Sequence, residues 1–135
     1  MKVFLKILFP FLILILSISF FGCKKSVENR LEGHWRMVNL ENPYSDEVEE
    51  WHFTGQYIYF LKSHINTSGT DTLGWCSYKV KAGPFRKKIL VENVIYPQSQ
   101  YLILTEYGIE KLNSKYLILL NDEQGGLLNL EFTKK

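Results

Sequence analysis

From Leu31 onward, apolar and polar positions alternate with a period of two, in short runs separated by turn-forming clusters. That period is the signature of half-buried strands. Residues 33–40 alternate, with Trp35 and Met37 on one side, and a polar loop with Pro43 follows. Alternation resumes over 49–53, Thr54-Gly55 makes a tight turn, and 56–62 returns, so 49–62 reads as a hairpin. Residues 64–71 form a loop by composition. A fourth strand covers 72–81 and ends at Ala82-Gly83-Pro84, and a fifth covers 87–93. After a connection over 96–100, residues 101–112 make one bent strand or two, with Gly108 at the bend. Strands over 116–120 and 127–133 follow, with a turn between them at 121–126. No run shows sustained helical periodicity. Evenly spaced short strands predict an all-β domain over 31–135, either a sandwich or an up-and-down barrel. Consecutive hairpins favour an eight-stranded antiparallel up-and-down barrel, because closure removes exposed strand edges.

The alternation also assigns faces. Over 72–81 it puts Cys76, Tyr78 and Val80 on one side and Leu73, Trp75, Ser77, Lys79 and Lys81 on the other. Two lysines inside a narrow barrel would need buried partners. The side bearing Cys76 is therefore expected inside, and Trp75 outside near a rim.

The N-terminus breaks the pattern. Residues 1–22 hold Lys2, Lys6 and an apolar run, and read as a bacterial secretion signal ending at Gly22-Cys23. The uncharged stretch 7–22, with Pro10 inside it, is short of the ~20 residues that normally span a bilayer, so a membrane-spanning anchor is the weaker reading. The end of the segment resembles the lipobox of bacterial lipoproteins, in which a small residue precedes an obligatory cysteine. That resemblance implies diacylglycerol on the thiol of Cys23, a further acyl chain such as palmitate on its freed amine, and a place in the cell envelope, on the periplasmic or outer-membrane face. Two or more chains make such anchoring stable. The alternative is ordinary cleavage after Ser19, where Ser17-x-Ser19 gives a small-x-small pattern. Residues 23–30, charged and without apolar periodicity, read as a tether between lipid and domain, with at most a frayed helical turn.

Composition follows from this division. The chain has 135 residues, 16 basic and 14 acidic. Two of the basic residues lie in the leader, so the rest of the chain is neutral overall. A neutral domain of this size argues against nucleic-acid binding, which needs a basic face, and has no room for a second domain. Of the two cysteines, Cys23 and Cys76, acylation of the first leaves the second without a disulfide partner.

At Leu31-Glu-Gly33-His-Trp35 the chain resembles the lipocalin-like lipoproteins of the Bacteroidetes. The resemblance continues through the aromatic hairpin at Trp51-His-Phe-Thr-Gly-Gln-Tyr57 and the closing Leu130-Glu-Phe-Thr-Lys134. It covers residues 31–135 and implies an eight-stranded barrel in which Gly33 and Trp35 hold structural positions at one end. It also implies a possible small-molecule cup.

Other chemistry is sparse. His34, His52 and His64 lack metal-ligand spacing and read as surface imidazoles, so no metal or cofactor is expected. Asp46, Glu47, Glu49 and Glu50 form an acidic cluster that reads as a solvated loop and strand edge. Arg86-Lys87-Lys88 reads as a charged turn, the alternative being contact with anionic lipid head groups or another envelope polyanion. No nucleophile elbow, zinc-protease motif or phosphate loop is present, and no enzyme is expected. Asp71-Thr72-Leu73 resembles the short O-glycosylation motif of Bacteroidetes envelope proteins, with Thr72 as acceptor. Aromatics are abundant, and Tyr57, Tyr59 and Tyr78 are the candidates for lining a mouth that takes a small hydrophobic or amphipathic ligand. The expectation is a monomeric, non-enzymatic lipoprotein held to the membrane at Cys23 that binds such a ligand. The alternative is a filled barrel that serves as a protein-interaction or scaffold module.

Overall fold

The computed structural model describes residues 23–38, 45–95, 104–121 and 129–135. The secretion-signal reading of 1–22, the polar loop around Pro43, the connection 96–100 and most of the turn 121–126 lie outside these residues. Eight strands follow in chain order: β1 (Gly33–Met37), β2 (Glu47–Thr54), β3 (Tyr57–His64), β4 (Thr70–Ala82), β5 (Lys87–Ile95), β6 (Glu106–Leu112), β7 (Tyr116–Leu120) and β8 (Asn129–Lys134). Each pairs antiparallel with its neighbour in sequence, and β1 pairs with β8 to close the barrel. The up-and-down barrel predicted from alternation is therefore the fold.

Three register shifts bend the wall, between Phe60 and Leu61, Trp75 and Ser77, and Ile109 and Lys111. Bulges of this kind increase local twist and let a short sheet close. Gly108 lies within β6 opposite Lys88 and Leu120, and the irregularity falls just after it. β4 is longer than its alternating stretch suggests, because Thr70 and Asp71 continue the ladder with Ser63 and Lys62.

The inward side chains are large and mostly aromatic. Trp51 makes edge contacts with Phe60 and Tyr107, at ring separations of 5.1 and 5.7 Å, and lies 5.0 Å from Phe132. Phe53 meets Tyr78 edge-on at 5.4 Å. Ile58, Cys76, Ile89, Leu117 and Leu119 fill the space between them, all fully buried. Eight strands enclose an interior only just wide enough for side chains, and here aromatic rings occupy it.

One end of the barrel is plugged. Residues 23–31 form a helix, α1, rather than the tether that their charge suggests. Val27 and Leu31 stand four apart, so they share one helix face, and both are buried in the barrel core. That burial holds the helix in place, and it becomes visible only once the barrel supplies the surface. The helix end is tied down as well. The indole of Trp35 donates to the carbonyl of Leu31 at 2.6 Å, satisfying a carbonyl left free at the helix C-terminus. Lys134 Nζ donates to the Arg30 carbonyl and sits 4.9 Å from the Trp35 ring centroid. Gly33 joins helix to strand at φ +116°, a conformation that L side chains rarely adopt, and a Cβ there would come within 3.2 Å of Lys134.

The same end carries the short turns. These are Gly55-Gln56 between β2 and β3, residues 83–86 between β4 and β5, and 113–115 between β6 and β7. Asn113 Oδ1 shapes the last of these by accepting from the N–H groups of Lys115 and Tyr116, both at 2.8 Å. The β3–β4 loop, residues 65–69, lies at the opposite end.

Candidate functional site

The residues singled out in the sequence fall into three places. Cys23 opens α1 at the plugged end, with partial exposure and no disulfide partner. Gly33 and Trp35 form the junction that ties this helix to the barrel. Cys76 and Tyr78 point inward, as the alternation of β4 requires. Burial pushes the Cys76 thiol up to about 12, against a smaller opposing effect of a backbone hydrogen bond at Ile58. A thiol held neutral in this way is a packing group rather than a nucleophile. Burial also raises the Tyr78 hydroxyl to about 12, with Glu32 and Glu28 of the helix region adding to the effect. Its oxygen has no hydrogen-bond partner.

Tyr57 and Tyr59 do not join Tyr78. Their β3 neighbours Ile58 and Phe60 face the core opposite Phe53 and Trp51, so both tyrosines point outward. The expected tyrosine-lined mouth is therefore not formed. Instead, a row crosses the outer wall. His34, His52, Tyr59, Trp75 and Ile95 are successive partners across β1 to β5. The imidazoles of His34 and His52 stack with centroids 3.8 Å apart and planes 10° apart. Burial, then the neighbouring His52, holds His34 below its ordinary basicity, and the carboxylate of Glu50 opposes this while Lys135 reinforces it. Tyr57 extends the row and meets Trp75 edge-on at 5.7 Å.

Glu50 corrects the reading of the acidic cluster. It lies on the outer side of β2, yet its side chain is only 2% exposed. Arg36 Nη2 approaches it at 3.2 Å, Lys135 Nζ at 3.2 Å, and His34 Nδ1 stands 4.0 Å away. A carboxylate buried this deeply needs such cations around it. The other members of the cluster disperse. Asp46 accepts from Asn66, Glu47 pairs with Lys62, and Glu49 accepts from the indole of Trp51. The cluster is thus a set of separate structural pairs rather than a pair of carboxylates arranged around a substrate.

Beside Glu50 lies a groove of about 450 Å³, lined by Arg36, Val48, His64, Lys135 and the β3–β4 loop. A second, of about 240 Å³, is lined by Phe85, Arg86, Lys87, Ile109 and Leu120. Both lie on the outside of the barrel. Thr72, the candidate glycosylation acceptor, is exposed in β4 opposite Leu61. Among the described residues, no group of His, Cys, Asp and Glu side chains could hold a metal ion. No described helix is long and apolar enough to cross a membrane.

Sequence reasoning missed the Glu50 centre. Its only trace is positional: Arg36 and Glu50 are outward residues on adjacent strands and pair directly once register is known. Comparison of the chain with protein-family models, with curated proteins and with solved structures finds no match.

Proposed function

We propose that this chain is a lipid-anchored, non-enzymatic lipoprotein of the bacterial cell envelope, acylated at Cys23. In this reading the barrel is a filled scaffold that presents its outer wall to a protein partner. The observation that carries the scaffold reading is the aromatic packing around Trp51, in which the inward rings meet one another at 5.0–5.7 Å. The two grooves described above lie outside the wall, which agrees with contacts made there. The anchor reading is supported by Gly22-Cys23 after an apolar run and by the partial exposure of Cys23 at the start of α1. The small-ligand reading keeps one specific support, the unpartnered hydroxyl of Tyr78 under the helix.

Metabolic labelling with a fatty acid tests the anchor. The chain expressed in a bacterium that matures lipoproteins should take up the label, and Cys23→Ala should abolish it. Labelling of the variant at the level of the parent chain overturns the proposal.

A further inference from the structure

We infer that the plugged end of the barrel docks on an anionic lipid surface, with Phe85 entering the head-group region. The inference rests on the membrane-anchor reading for the proximity of a bilayer, and on three observations of its own for the contact.

The first is placement. Cys23 lies within the described part of α1, which runs without a break to the barrel, so it is held close to the folded domain. A nine-residue helix is only about 13 Å long, and Val27 and Leu31 pin this one against the barrel. An acyl chain on Cys23 would therefore hold this end of the barrel within a short distance of the bilayer, with little freedom to turn away.

The second is charge. The chain beyond the leader is neutral overall, yet among the described residues cations outnumber carboxylates at the plugged end. Lys24, Lys25, Arg86, Lys87, Lys111 and Lys115 are all exposed on α1 and on the strand ends and turns beside it. The carboxylates at this end include Glu28, paired with Lys24, Glu32, which accepts from the Gly55 amide, and Glu110, exposed beside Lys111. At the opposite end Asp46, Glu47 and Asp71 are exposed, with Glu47 paired to Lys62 and Asp71 beside His64. Cations within a Debye length of an anionic membrane surface, about 8 Å at physiological ionic strength, are attracted to it.

The third is Phe85. It is 96% exposed, the most exposed large apolar side chain described. It sits at the tip of the 83–86 turn, next to Arg86 and Lys87. Pro84 and the hydrogen bond from the Gly83 amide to the Arg86 carbonyl, 2.9 Å, hold that tip in shape. An aromatic ring flanked by cations on a rigid loop suits the boundary between head groups and acyl chains.

Photo-cross-linking tests this on the full chain. A benzophenone amino acid replaces Phe85, or Ile65 at the opposite end, which is 59% exposed. Each protein is placed in vesicles of phosphatidylglycerol and phosphatidylcholine in equal parts, and in phosphatidylcholine alone. The expected result is a lipid adduct at position 85 several-fold above that at position 65. It should fall several-fold in neutral vesicles and on combining Arg86→Glu with Lys87→Glu. Equal adduct at the two positions, equal adduct in the two vesicle types, or an adduct at position 85 with a second copy of the chain instead of lipid each overturns the inference. The acyl content of Cys23, read by mass on the same samples, separates the two proposals. An acylated chain without adduct at position 85 defeats the docking alone, whereas a non-acylated chain with that adduct supports the docking and defeats the anchor.

Discussion

Trp51 and His52 are neighbours in β2, and their side chains have opposite fates. Trp51 turns inward and is surrounded by Phe53, Phe60, Tyr107 and Phe132. His52 turns outward, stacks on His34 and leans toward Tyr59. The inner face, among the described residues, is mostly apolar and aromatic. The outer face carries the varied chemistry: imidazoles, tyrosines, a buried carboxylate with its cations, and two grooves. In a barrel this narrow the interior is taken up by packed side chains, and the varied chemistry lies on the wall and at the ends.

The largest test of this division is a pair of aromatic truncations. Trp35 is fully buried and bonds the helix carbonyl of Leu31, whereas Tyr57 is 45% exposed. Trp35→Ala should destabilise the domain by about 3–5 kcal/mol in urea melts, as loss of a buried aromatic does. Tyr57→Ala should cost about 0.5 kcal/mol or less, as exposed substitutions do. Similar losses for the two would mean that the inner and outer faces are not energetically distinct.

A smaller effect is expected on the outer wall itself. Glu50→Gln keeps the shape of the side chain and removes its charge, leaving Arg36 and Lys135 without a counter-ion. Both cations are partly exposed, with side chains 41% and 53% accessible, so water compensates much of the loss. The expected cost is roughly 1–2 kcal/mol, in the range of hydrogen bonds to charged groups. It should shrink when Lys135→Met is added, because the two changes act on one network. A neutral Glu50→Gln would show that the buried carboxylate is not held by its cations.

Much of this fold was legible in the sequence. Period-two alternation identifies the strands, and the lysines at 79 and 81 orient β4 so that Cys76 faces in. The β3 tyrosines were harder to place because Tyr57 to Phe60 is apolar or aromatic on both sides, so alternation has no contrast to read. Pairing resolves them. The Gly55 turn sets Phe53 against Ile58 and Trp51 against Phe60, and direct partners share a face. The helix over 23–31 has too little apolar surface to declare itself, since Val27 and Leu31 matter only when a barrel end lies beneath them. Glu50 was hidden for a related reason. Its burial comes from Arg36, His34 and Lys135, which are distant in sequence and meet through strand register and the C-terminus.

A filled interior should show in the reactivity of Cys76. With Cys23→Ala in place, Cys76 is the one thiol left in the chain. Its rise from 9.0 to about 12 alone lowers the reactive thiolate on the order of a thousandfold at neutral pH, and packing adds a steric barrier. A thiol reagent should therefore label the native protein at least about a hundredfold more slowly than the protein in denaturant, and added hydrophobic ligands should leave the native rate unchanged. Native labelling within about tenfold of the denatured rate, or a native rate that a hydrophobic ligand slows further, would contradict a filled barrel and point to an open cup around Cys76.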